Sequence, residues 1–456
     1  MTAEDFVRSA ALVVVACHSL NIYLHYRQRR HLRRHDVLTS EAEAVMDKRR
    51  FRMTRLYALE KNKFLLMKVA FTLLRDLIVT TFPIYHFVWT NTRHLVEASE
   101  LEDRFNFVHN CVFGSTIALG NSLFHFPLEI YSTLYIETKY GLNQETPDIF
   151  LKHQLTTLIR SQLLICAAVA GFSLVSGILG NNAFLFIWIF ISVSSVLFIL
   201  LYPNCIAPMF DDFTSLPEGS LREKIECLAR KLRFPLSGVL IAEGTKRMTH
   251  GDVYLLGLSV NKSVVLDKDF YDAVKTSPTY QRRQRSRNDE LSGYTEEQVL
   301  ALLCHEFGHW KSHHNTTHLI LSQFHLFIAF VTFVVFLEDK NLYRAFGFGN
   351  EQPLLIGILI VAGSLYHPID EFLDKASVLI ARRFEFQADS FAKRHNFGSE
   401  LKKAVMIQER FTWKFPIEDW MFSCAYNTIP LPLERFRALG STDDVKGTKP
   451  SIRDGS

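Results

Sequence analysis

The stretch CHEFGHWKSHH at 304–314 sets His305 and His309 four residues apart around Glu306. On a helix these positions share a face, so both imidazoles can reach one metal ion with the carboxylate beside them. Such an arrangement suits a hydrolytic zinc site. Zinc brings the pKa of a bound water from about 15.7 to about 7, where Glu306 can take a proton and later return it to a leaving amine.

Two histidines and a glutamate at this spacing arise by chance often enough that a site needs a third protein ligand on another element. The stretch RRFEFQADSFAKRH (382–395) supplies it: Glu385 and Asp389 lie four apart and share a helical face. Glu385 completes a two-histidine, one-carboxylate set with an open position. Asp389, one turn on, is placed to orient a histidine or assist proton transfer. His313, His314 and His318 read as polar residues at a membrane interface, without a metal role.

The elements that must position these groups are legible around them. In YTEEQVLALLCHEFGHW, Thr295 and Gln298 form a capping-box pattern, and Val299, Leu302 and Leu303 continue a helical stripe. The apolar run that follows reads as the same helix continuing into a membrane. Upstream, 204–316 reads as a soluble α/β insert. LPEGSLREKIECLARKL has helical spacing, whereas SGVLIAEG and DVYLLGLSVNKSVVLD have the β-branched, turn-bounded pattern of strands. The basic stretch 276–293 and the tail after Leu439 read as mobile surface segments.

The bulk composition favours a membrane protein. Of 456 residues, 48% are hydrophobic and 38 are Phe, and the apolar residues gather in blocks. A net charge of +4 is too mild to point to nucleic acid. The seven cysteines are scattered, without a CxxC pair, and read as buried thiols.

Seven blocks are candidate spans, near residues 9–26, 64–90, 107–136, 157–180, 183–203, 317–337 and 353–380. The second carries Lys68, Arg75 and Asp76; the third His109, Asn110, Asn121, His125 and Glu129; the seventh His367, Asp370, Glu371 and Asp374. Ionisable groups at membrane depth face a bundle interior or a wet cavity. The acidic start MTAEDF, with RQRRHLRR at 27–34 after the apolar run, reads as an uncleaved first helix with its N-terminus lumenal. Seven crossings then put 204–316 and the C-terminus together in the cytosol.

At these residues the chain resembles the type 1 CAAX prenyl protease family, membrane zinc endopeptidases. The likeness runs through HFPLEIYSTLYIETKYGLNQET (125–146), YPNCIAPMFDDFTSLPEGSL (202–221), FPLSGVLIAEGTKRMTH (234–250), the two motifs above and PLERFRAL (432–439), covering about 55–440. It implies a mainly α, polytopic membrane fold: seven transmembrane helices forming a hollow barrel around a water-filled chamber, with a small cytosolic α/β zinc-protease insert. The expected division is 1–203 for helices one to five, 204–316 for the insert, 317–380 for helices six and seven, 381–440 for the rest of the protease domain, and 441–456 as a tail.

By the same resemblance, His305, His309 and Glu385 hold one Zn²⁺ per chain, Glu306 and Asp389 are catalytic, and Asp252, Val253 and Arg435 contact substrate. The substrates are prenylated CAAX protein C-termini, met beside membrane lipid in the endoplasmic reticulum or inner nuclear membrane. Two positions depart from the family. NTIPLPLERF places Ile429 where the family has a histidine facing the scissile carbonyl, and Asp252-Val253 replaces the Asn-Ala of its substrate-holding edge strand. Loss of one transition-state donor costs about 10²–10³ in rate. This implies a diverged paralogue with two competing roles: a tripeptide-removing protease of reduced activity, or a weakened or inactive zinc-binding protein that handles membrane substrates. Polar spans alone would also suit a transporter, which leaves the metal constellation unexplained.

Overall fold

Long apolar runs with few breakers fold as helices, and most of this chain does so. The computed structural model describes residues 2–43, 45–98, 107–143, 145–202, 212–243, 253–258, 261–277, 279–281, 293–409 and 412–440. Most of the basic 276–293 stretch, Asp252 and the tail from 441 lie outside the described residues. The chain forms two compact units. One comprises Met1–Asp36, Arg52–Val193 and Ser322–Ala376; the other comprises Val37–Phe51, Ser194–Leu321 and Ser377–Ser456.

In the first unit, Ala3–Arg34 opens with a capping box in which Thr2 and Asp5 satisfy each other's backbone N–H. At its far end Arg55 donates to the carbonyls of Leu32 at 2.8 Å and Arg33 at 2.9 Å, pairing groups that a helix terminus leaves open. The core packs Phe6, Trp89, Phe113, Leu342, Tyr343, Phe346 and Ile356.

Among the described residues, five helices are long and apolar enough to cross a membrane: Ala3–Arg34, Pro147–Leu179, Ala183–Leu201, His314–Leu337 and the continuous stretch Leu354–Arg394. The other two expected blocks are helical but differ in form. The 64–90 block is divided: one helix ends at Thr81 and another starts at Ile84, with Pro83 between them. The 107–136 block runs as Phe107–Ile130 and then widens to π geometry over Tyr131–Glu137. A second π turn, Val361–Tyr366, ends two residues before Pro368. Proline lacks the N–H that an α register would return to the carbonyl four residues back, so the helix relaxes there.

The polar groups of those blocks find one another. Asp76 pairs with Arg75 at 2.7 Å and lies 2.9 Å from His18 Nε2. Arg75 reaches Asn121 Oδ1 at 2.7 Å and His125 Nε2 at 2.8 Å. His109 sits against Thr92 and the Trp89 carbonyl, and Asn110 donates to Ser173 at 3.0 Å. Each pairing lowers the cost of holding a polar group within an apolar helix bundle.

The second unit is built on a four-stranded sheet of order β1-β2-β4-β3: β1 Asp212–Ser215, β2 Leu236–Glu243, β3 Val253–Leu258 and β4 Asn261–Asp267. The β2–β4 pair is parallel and the other two are antiparallel, so β3 is an edge strand. Val239 and Ile241 of β2 and Val264, Val265 and Leu266 of β4 are buried, so the central pair of strands is covered on both faces at β4. Glu296–Lys311, the histidine helix, packs on β3 and on the helices Ser220–Leu232 and Gly398–Glu409. Its Thr295–Gln298 capping box is present, and Val299, Ala301, Leu303, Cys304 and Phe307 are fully buried.

The expectation that the histidine helix continues unbroken into the apolar run is corrected here. It ends at Lys311, His313 takes a left-handed φ of 54°, and a new helix starts at His314. Histidine is among the residues that tolerate this region, at some strain.

The histidine helix meets His367–Arg394, the carboxylate helix, where residue 308 has no side chain. A Cβ on Gly308 would lie 3.0 Å from Phe391 Cβ and 3.1 Å from Ala388 Cα. Gly308→Val is therefore expected to lose about 1–3 kcal/mol through overpacking, read as a lower Tm of the detergent-purified protein. Gly120→Ala, where nothing lies within 4 Å, serves as the control. An unchanged Tm in Gly308→Val would show that the helices have room to spare.

Candidate metal centre

The histidine helix turns His305 and His309 toward one point, and the carboxylate helix brings Glu385 to it. His305 Nε2 lies 3.1 Å from His309 Nε2, and each of these nitrogens lies 3.5 Å from a Glu385 carboxylate oxygen. A tetrahedral zinc with metal–nitrogen and metal–oxygen bonds of about 2.0–2.2 Å separates its donors by about 3.3 Å. The donor set and its spacing therefore fit such an ion. Glu306 follows His305 on the same helix and is half-buried.

Behind these three groups is a buried charge chain. Asp389, 1% exposed, places Oδ1 2.9 Å from His305 Nδ1. The Arg435 guanidinium donates to the same carboxylate through Nε at 2.8 Å and Nη2 at 2.6 Å. This bidentate pair fixes the carboxylate plane, and the carboxylate in turn fixes the imidazole. Arg435, expected to contact substrate, commits two of its nitrogens to Asp389.

His309 is set differently. His314 Nδ1 lies 3.0 Å from His309 Nδ1, His314 Nε2 lies 2.9 Å from Gln387 Oε1, and the His314 ring stacks on Phe384 at 4.1 Å. The turn at His313 folds His314 back to make these contacts. By sequence His314 reads as merely interfacial; its one signal is the histidine doublet four and five residues after His309.

The electrostatics separate the two imidazoles. Burial pulls His305 down, but its contacts with Asp389 and Glu385 outweigh this and hold it up at about 9. Burial and then the charge of His305 push His309 down to about 4. His309 therefore offers a free lone pair at neutral pH, while a metal must displace a proton from His305. Burial also pushes the Cys304 thiol up to about 12, leaving it inert beside the site.

The remaining expected contacts are spread out. Val253 is buried on edge strand β3, paired with Leu266, and Asp252 lies outside the described residues. Ile429 is 55% exposed, in the loop between the helices Trp420–Tyr426 and Pro432–Leu439. Arg382 anchors that loop, pairing with Glu434 at 2.6 Å and donating to Ser423 Oγ at 3.1 Å. Asn427, in the same loop, donates to Glu418 at 2.6 Å.

Known proteins resemble this chain along most of its length. Residues 28–212 match the family described as CAAX prenyl protease N-terminal, five membrane helices, and residues 215–443 match peptidase family M48. The chain is 32% identical over 434 residues to the CAAX prenyl protease 1 homolog of Homo sapiens, spanning 91% of each chain. It is 27% identical over 457 residues to CAAX prenyl protease 1 of Saccharomyces cerevisiae, spanning 95% of this chain and 94% of the relative. The crystal structure of S. mikatae Ste24p superposes with a TM-score of 0.73 at 24% identity, over 95% of this chain and 98% of that one, and shares the fold.

Removing the guanidinium should expose how much the buried pair holds. Arg435→Met leaves Asp389 buried opposite a neutral residue and is expected to cost about 3–5 kcal/mol, measured by chemical denaturation in detergent. Wild-type stability in this variant would mean that Asp389 draws its compensation elsewhere.

Proposed function

The chain belongs to peptidase family M48, among the CAAX prenyl proteases, and is a multi-pass membrane metalloendopeptidase; from that premise we propose that it removes the C-terminal tripeptide from prenylated CAAX proteins. The carrying observation is the convergence of His305, His309 and Glu385, whose ligand atoms all lie within 4.8 Å of one another. In this reading they hold one zinc ion. Zinc supplies Lewis acidity at the scissile carbonyl and acidifies water at neutral pH.

The chain's own residues do the rest. Glu306, adjacent to His305, takes the proton of the attacking water and returns it to the leaving amine. Asp389 keeps His305 in one orientation and Arg435 keeps Asp389 charged; both act through His305 and not on substrate. His314 does the same for His309. β3 ends the sheet among the described strands, and an extended peptide can lie along such an edge. We place this work at the cytosolic face of the endoplasmic reticulum or inner nuclear membrane, where a prenyl chain delivers its substrate from the bilayer.

Ile429 favours a second reading. An alkyl side chain exposed at this position donates no hydrogen bond to a developing oxyanion, which suits a weakened or inactive zinc-binding paralogue that handles membrane proteins. Retention of Glu306 argues for catalysis, since metal binding alone does not need it.

A farnesylated CAAX peptide tests both. Wild type should release tripeptide, and Glu306→Gln should bring the rate to background; equal product from the two would sink the protease reading. Ile429→His is expected to raise the rate by about 10²–10³. A rate unmoved by that histidine would show that oxyanion support comes from another group.

A further inference from the structure

A second convergence of donors lies within the unit of Met1–Asp36, Arg52–Val193 and Ser322–Ala376. His325, from the helix His314–Leu337, and Asp370 and Asp374, one turn apart on the carboxylate helix, bring their ligand atoms within 4.8 Å of one another. His325 Nε2 is 2.8 Å from Asp370 Oδ1. Both helices belong to stretches long and apolar enough to span a membrane.

The charge balance around them is uneven. Asp76 is met by Arg75 and His18, Glu371 by Lys375 at 2.7 Å, Glu137 by Lys61 at 2.8 Å and Glu60 by Lys139 at 2.7 Å. Asp370 has the His325 imidazole and the Tyr366 hydroxyl, neither a fixed cation, and among the described residues Asp374, which is exposed, forms no ion pair or hydrogen bond. Two carboxylates four residues apart on one helix repel each other. Protonating His325 cancels one negative charge and leaves the other. A divalent cation on the two carboxylates, with a neutral imidazole as third ligand, balances both.

We propose that His325, Asp370 and Asp374 form a second divalent-cation site, distinct from the catalytic centre. One imidazole nitrogen with two carboxylate oxygens suits borderline ions of the Zn²⁺ and Mn²⁺ class. The ion joins the helix His314–Leu337 to the carboxylate helix, well along the pair from the His314–Gln387 contact at the other end, and acts as a second staple between them. With all three donors bound to the ion, none of them is free to act as a general base, and the role assigned to the ion is structural.

The test uses the full chain in detergent, stripped with chelator, dialysed against Zn²⁺ and counted for metal. Wild type should hold about two ions per chain, and Asp370→Asn/Asp374→Asn about one. Asn keeps the volume and removes the repulsion, and His325→Asn gives an independent single change with the same expected loss. His305→Ala/His309→Ala should also keep about one ion and still gain Tm on adding Zn²⁺; that gain should vanish when Asp370→Asn/Asp374→Asn is added. The same zinc count in wild type and in the Asp370→Asn/Asp374→Asn protein overturns the proposal and leaves a shared proton as the means of charge balance. That outcome is distinguishable from failure of the catalytic centre, which removes the ion sensitive to His305 and His309.

Discussion

One buried carboxylate holds the candidate centre together. Asp389 takes a bidentate guanidinium on one side and a histidine nitrogen on the other, all three with almost no exposure. Removing a carboxylate from water is costly, and a paired cation with correctly aimed hydrogen bonds offsets that cost. The consequence is geometric. Arg435 lies on the helix Pro432–Leu439, Asp389 on the carboxylate helix and His305 on the histidine helix, so the charge chain fixes three elements at one point. Gly308 makes the approach possible because any side chain there would strike Ala388 and Phe391. Charge compensation and backbone clearance are thus two halves of one constraint.

The same rule, that a charge away from water must find a partner, organises the apolar unit. Arg75 serves Asp76, Asn121 and His125 at once, and Lys375 answers Glu371 from one turn along the same helix. These contacts explain why helices with polar residues can stand among helices with none. Asp370 and Asp374 are the place where the rule is only half met by the described side chains, which is why the cluster reads as a site for an ion.

Much of the centre could be read before any fold was in hand, because its signals are local. The histidine spacing, the capping box at Thr295 and the acidic pair at 385 and 389 all follow from helical periodicity, which needs only the order of residues. Membrane character was legible from the apolar blocks for the same reason. The break at His313 was not, since KSHHN carries neither Gly nor Pro, the usual markers of a helix end. Nor was the division of the 64–90 block foreseen, although Pro83 was the signal for it.

Residue order alone sets which donors exist, which helix presents two of them, and which stretches prefer lipid. Which of those donors meet depends on how the helices pack. Nothing in the order of residues says that Arg435 spends its hydrogen bonds on Asp389, that His314 turns back to His309, or that His325 faces Asp370. Each of these pairings joins residues brought together by packing, or by a single backbone torsion, and not by helical repeat. Their energies depend on burial, which is a property of the folded neighbourhood and not of the residue.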